Sequence, residues 1–115
     1  MITRRSTDLD VGDIFSYVAL AQKETGLPMV VWVPDAAAKD PCLRFQLDHS
    51  AEAHPNDATL VTIEEDPVAI DGATPSDPDW RAIQRFVKLN HQALREHLRG
   101  NIDTLELGRR IVKIR

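Results

Sequence analysis

One stretch of the chain gathers metal-ligating side chains at close spacing. Residues 48–57 read DHSAEAHPND, which puts Asp48, His49, Glu52, His54 and Asp57 inside ten residues. Imidazole nitrogens and carboxylate oxygens are the ligands of zinc and related divalent ions. A catalytic centre needs three of them converging on one point with a fourth position open, and His49, His54 and Asp57 are the set that would serve. The spacing fits no closed structural zinc site, and Pro55-Asn56-Asp57 is ordinary turn chemistry. The plainer expectation is a polar turn between two strands, with no metal and no cofactor.

Other catalytic groupings are weaker still. The single cysteine, Cys42, has no histidine beside it in sequence and stands next to Leu43 and near Phe45. That setting suits a small buried hydrophobe better than an activated thiolate. Glu64, Glu65 and Asp66 are consecutive at a strand end, where neighbours point to opposite faces, so they form no ready pair for acid–base work. The five glycines, at 12, 26, 72, 100 and 108, are scattered and make no phosphate-binding loop. Neither G-x-S-x-G nor H-E-x-x-H occurs. The expectation is a protein that binds and does not catalyse.

The elements that must position these residues follow from periodicity. Ile14, Ser16, Val18 and Leu20 alternate with Phe15, Tyr17 and Ala19, which reads as a strand over 14–21. A helix capped by Asp13 and stopped by Gly26 is the alternative. Residues 28–34 (PMVVWVP) are rich in β-branched and aromatic types and bounded by prolines. They form a second strand, joined to the first by a turn within Gln22–Gly26. Leu43, Phe45 and Leu47 alternate with Arg44, Gln46 and Asp48, giving a third strand over 42–48. The fourth covers 59–64, with Val68–Ile70 as a short extension.

After the DGATPSDPD connector comes a strong helix start. Ser76 or Asp77 can cap, Pro78 occupies the first turn, and Asp79 favours the positive end of the dipole. The helix should run over 78–98 and stop at Gly100. A shorter helix over 103–111, capped by Asp103, tolerates Gly108 at some cost, and the RIVKIR tail could instead be extended. Strands followed by helices spell an α+β fold, an antiparallel sheet of about four strands covered on one face by the C-terminal helices. At 115 residues the chain reads as a single domain able to bury its own core, with residues 1–12 as a flexible N-terminus.

On a helical wheel Trp80, Ile83, Phe86, Val87, Leu94 and Leu98 share one sector. Each buried large apolar side chain contributes roughly 1.5–3 kcal/mol, so this stripe fastens the helix to the sheet. Asn90 lies mid-stripe and must find hydrogen bonds, most simply to backbone. His97 sits at its edge. The opposite quarter holds Arg81, Arg85, Lys88, Arg95 and Arg99, and Arg109 and Arg110 extend the positive charge. Net charge is −4 overall. Residues 1–80 carry 5 Lys/Arg against 15 Asp/Glu, while residues 81–115 carry 9 against 3. A solvated face is the plain reading, and contact with an acidic protein or with phosphate is the functional one. The acidic remainder of the chain and the lack of interleaved aromatics favour protein over nucleic acid. The seven cations Arg81, Arg85, Lys88, Arg95, Arg99, Arg109 and Arg110 are the candidate partner-binding residues.

Trp80, Ile83, Phe86, Val87, Asn90, Leu94, Gly100, Ile102 and Leu105 give this tail a pattern that resembles several small uncharacterised bacterial proteins, in which a short sheet precedes a two-helix tail. LPMVVWVP is similar to their sheet. Some of those proteins lie near mobile-element or toxin–antitoxin genes, which implies an accessory or regulatory binding role and brings no catalytic residues. With one cysteine, no secretory signal and no apolar run of ~18–20 residues, a cytoplasmic protein away from the membrane is expected.

Overall fold

Alternation sorts the strands into two faces, and the computed structural model describes residues 17–36, 38, 41–49 and 58–114 of the chain. The strands are β1 (Tyr17–Leu20), β2 (Val31–Pro34), β3 (Cys42–Gln46), β4 (Ala58–Thr62) and β5 (Ala69–Gly72). They pair antiparallel in chain order, β1-β2-β3-β4-β5. Val31 lies opposite Phe45 and Leu43 opposite Val61. With Val33 these side chains are fully buried in the main core. The intervening residues face the other way: Trp32 is opposite Arg44, and Arg44 opposite Leu60. Tyr17, Val30 and Trp32 form a smaller cluster of their own.

Among the described residues three helices join the sheet: α1 (Gln22–Thr25), α2 (Asp77–Leu98) and α3 (Thr104–Arg110). Ser76 caps α2 by accepting the Asp79 N–H, and Pro78 sits in its first turn. Ile83, Phe86, Val87, Asn90, Leu94 and His97 face inward and are buried. Phe86 meets Phe45 edge-on, with ring centroids 6.4 Å apart, in the geometry aromatic quadrupoles favour. This pair is the seam between helix and sheet. Gly100, at φ 78°, turns the chain out of α2. Asp103 then caps α3 through the Glu106 N–H at 2.8 Å.

The α+β class and the meander stand as expected from sequence, and the strand count is five in place of about four. β5 is the addition. Its four residues are all exposed, so burial does not create it. Two hydrogen bonds at the turn do: the Val68 N–H donates to Thr62 Oγ1 at 2.9 Å, and the Thr62 N–H donates to the Val68 carbonyl at 3.0 Å. A register shift between Leu60 and Val61 follows, and such irregularities are common at sheet edges. Gly72, at φ 93°, lies so close to the Ala58 carbonyl that a methyl group would collide with it.

The first strand spans Tyr17–Leu20, and residues 14–16 of the expected 14–21 lie outside the described residues. The expected turn at Gln22–Gly26 is a single helical turn, α1. The Glu24 carboxylate accepts the Ala21 N–H at 2.8 Å, and Gly26 closes the turn at φ 79°. The tail leaves α3 at Ile111 in extended conformation. Asn90 holds it through both amide atoms: Nδ2 donates to the Val112 carbonyl at 3.0 Å, and Oδ1 accepts the Val112 N–H at 2.7 Å. The Ile114 N–H then donates to the Thr25 carbonyl at 3.0 Å. The buried amide is thus satisfied by backbone, as a buried amide must be. The expected flexible residues 1–12 lie outside the described residues.

Candidate functional site

The outward face of α2 carries the charge, and its burial pattern explains why. Every third or fourth residue is committed to the sheet, so the side chains between point to solvent. Arg81, Arg85 and Lys88 are exposed and Arg95 is half-buried. Among the described residues none of these four has a carboxylate within ion-pair distance. The other three cations do. Arg99 pairs with Glu96 at 3.3 Å, Arg109 with Glu106 at 3.6 Å and Arg110 with Glu106 at 2.9 Å. The seven candidates therefore divide into an unpaired set along α2 and a locally neutralised set at the α2 end and on α3. The acids responsible stand three or four residues away, a spacing readable in sequence.

A shallow groove of about 530 Å³ lies between the end of α2 and α3. Leu89 and Ala93 supply its apolar part, and Arg95, Arg99 and Arg110 reach it from both helices, together with Glu96. Leu89 is 49% exposed, unlike the large apolar residues on the opposite side of the same helix. The Glu96 carboxylate is held at both oxygens, by Arg99 Nη1 at 3.3 Å and Asn101 Nδ2 at 3.2 Å. It cancels Arg99 and leaves Arg95 uncompensated.

The alternative of a metal site in residues 48–57 meets a different arrangement. His49 adopts φ 59°, a left-handed conformation that costs a residue with a Cβ some strain. Its Nε2 lies 2.8 Å from Asp79 Oδ2, in the first turn of α2, and its carbonyl accepts from Gln22 Nε2 at 3.0 Å. One histidine of the proposed ligand set therefore ties the loop after β3 to the start of the helix. His54 and Asp57 lie outside the described residues. Among the described residues no three His, Cys, Asp or Glu side chains are grouped to hold a metal ion. Asp79 is the residue that sequence reasoning missed, because thirty positions separate it from His49 and no local pattern links them.

The remaining chemistry-bearing residues are engaged in packing. His97 Nδ1 is 3.1 Å from the Pro34 carbonyl, which can only accept, so Nδ1 carries the proton. Nε2 lies 3.2 Å from the Thr104 hydroxyl, within hydrogen-bond distance. The ring thereby pins the start of α3 to the end of β2. Cys42 is buried in β3. On the sheet face away from α2, Arg44 lies over the Tyr17 ring, 5.4 Å from its centroid. Among the described residues Arg44 Nε and Trp32 Nε1 are buried without hydrogen-bond partners, and a donor left so costs about 1–3 kcal/mol. No helix of the described residues is long and apolar enough to cross a membrane. No protein-family model matches the chain, and neither the curated proteins nor the solved structures include a significant match.

Proposed function

We propose that this is a small, non-enzymatic accessory protein of the cytoplasm that acts by binding another protein through the basic face of α2. The observation that carries the reading is the unpaired set. Arg81, Arg85, Lys88 and Arg95 line one side of a single rigid helix, and among the described residues no acid answers them. Nearby arginines are supplied with glutamates, so the lack is local to this stripe. Unpaired guanidinium groups offer bidentate donors to carboxylates and speed encounter with an acidic surface. Aromatic side chains are missing from the stripe, which weighs against single-stranded nucleic acid, whose bases need a stacking platform.

The test is charge reversal of Arg85, Lys88 and Arg95 to Glu, followed by quantitative affinity capture and by titration with a labelled oligoglutamate peptide and a DNA duplex. The triple variant should lose the captured proteins and bind oligoglutamate at least about tenfold more weakly. An unchanged set of captured proteins would overturn the reading. Tight, steeply salt-dependent DNA binding would replace protein with nucleic acid as the partner.

A further inference from the structure

We infer that the groove between α2 and α3 receives an acidic amphipathic helix of the partner protein. This rests on the basic-face reading and narrows it to a place and a shape. A lone exposed leucine is ordinary on a protein surface, but Leu89 opens onto Ala93 within a groove bounded by a second helix. Leu89 and Ala93 offer an apolar floor, and Arg95, Arg99 and Arg110 stand around it. Among the described residues Glu96 is the one acid lining the groove, and it is already held by Arg99 and Asn101. An occupant therefore meets an apolar centre with Arg95 uncompensated at its edge and with Arg99 and Arg110, each already paired to a glutamate, keeping their remaining guanidinium N–H groups to offer.

That pattern has a complement. Phosphate or a bare acidic coil would use the guanidinium groups and leave the floor wet. A helix with a leucine stripe flanked by glutamates would use both, in the manner of amphipathic helices laid into grooves. The stretch from Leu89 to Arg99 extends about 15 Å along α2 at ~1.5 Å per residue, which seats nearly three turns of a partner helix. The apolar anchor supplies affinity by burial, and the rim cations fix orientation and reject basic helices.

Two labelled peptides of about 16 residues, long enough to fold as helices, test this. One carries glutamates with a single leucine stripe. The other replaces each leucine by glutamine. Anisotropy titrations in about 50 mM salt would compare the native protein with Leu89→Gln and with the R85E/K88E/R95E triple variant. Leu89 is half exposed, so its replacement leaves the fold in place, as an unchanged melting curve would verify. The expected result is that the native protein prefers the leucine peptide by at least about tenfold and that L89Q erases the preference. Equal binding of both peptides, untouched by L89Q yet weakened by the triple reversal, would overturn the groove and leave the basic face standing. A leucine preference lost in L89Q but indifferent to the triple reversal would keep the groove and overturn the basic face. Absence of binding by either peptide would overturn both.

Discussion

The inner and outer faces of α2 obey different rules. Inside, Ile83, Phe86, Val87 and Leu94 have no solvent exposure, and even the polar residues Asn90 and His97 are buried with their hydrogen bonds made. Outside, Arg81, Arg85 and Lys88 touch no acid among the described residues, and Leu89 stands half in water. The first face is fixed by the fold, since each of its side chains has a partner in the sheet, the tail or the end of β2. The second is free of that constraint. An excess of cations there contributes nothing to holding the helix down, and repulsion among them works slightly against it. Folding thus accounts for one face of the helix, and the other is the face on which the proposed contact would lie.

The sharpest way to break this contrast is at its inner side. Phe86→Ala removes the ring that meets Phe45 and should lower stability by about 3–5 kcal/mol, read from chemical denaturation. A loss below about 1 kcal/mol would mean that the helix is not the cover the sheet depends on. Asn90→Leu comes next. It keeps the volume but strands the Val112 N–H and carbonyl, which should cost about 1–3 kcal/mol. The Val112 amide should then exchange rapidly with solvent, and retained protection would show that the tail is held by other contacts.

Gly108 tests the outward side of α3. It lies inside the helix with nothing within 4 Å of where a methyl group would sit. Replacement by alanine should raise stability by about 0.5–1 kcal/mol, visible as a higher melting temperature. A drop would reveal an unseen contact on that face. The smallest effect is expected at the cations themselves: reversing Arg81 and Arg85 to Glu should change stability by no more than about 0.5 kcal/mol. A larger loss would show that the outer face also serves the fold.

Sequence disclosed the inner face well, because burial imposes a period. Ile83, Phe86, Val87, Asn90 and Leu94 fall on one sector of a wheel, and Leu43 and Phe45 alternate as a half-buried strand must. The cap Asp103 was equally legible, standing just before its helix, and for α2 the sequence offered Ser76 or Asp77, of which Ser76 is the cap. What escaped had no such imprint. β5 buries none of its residues, so the sequence showed only a short extension at Val68–Ile70 and not a separate paired strand. The helical turn α1 depends on a single cap from Glu24. The His49–Asp79 contact joins a loop to a helix start through tertiary geometry alone. The division of the seven cations was available in the Glu96–Arg99 and Glu106–Arg110 spacings, although a count of net charge conceals it.

The order of elements along the chain also bears on how the protein is made. All five strands precede α2, and each pairs with its neighbour in sequence, so the sheet can zip up from local contacts as it is synthesised. Its apolar side then waits for the helix. From Gly72 to Leu98 the ribosome adds 26 residues, on the order of one to five seconds at typical elongation rates. During that interval Val31, Val33, Leu43, Phe45 and Val61 face solvent without their cover. The nascent chain is then most open to a wrong strand partner, and the Asn90 amide, made before Val112, closes only after α3 has followed.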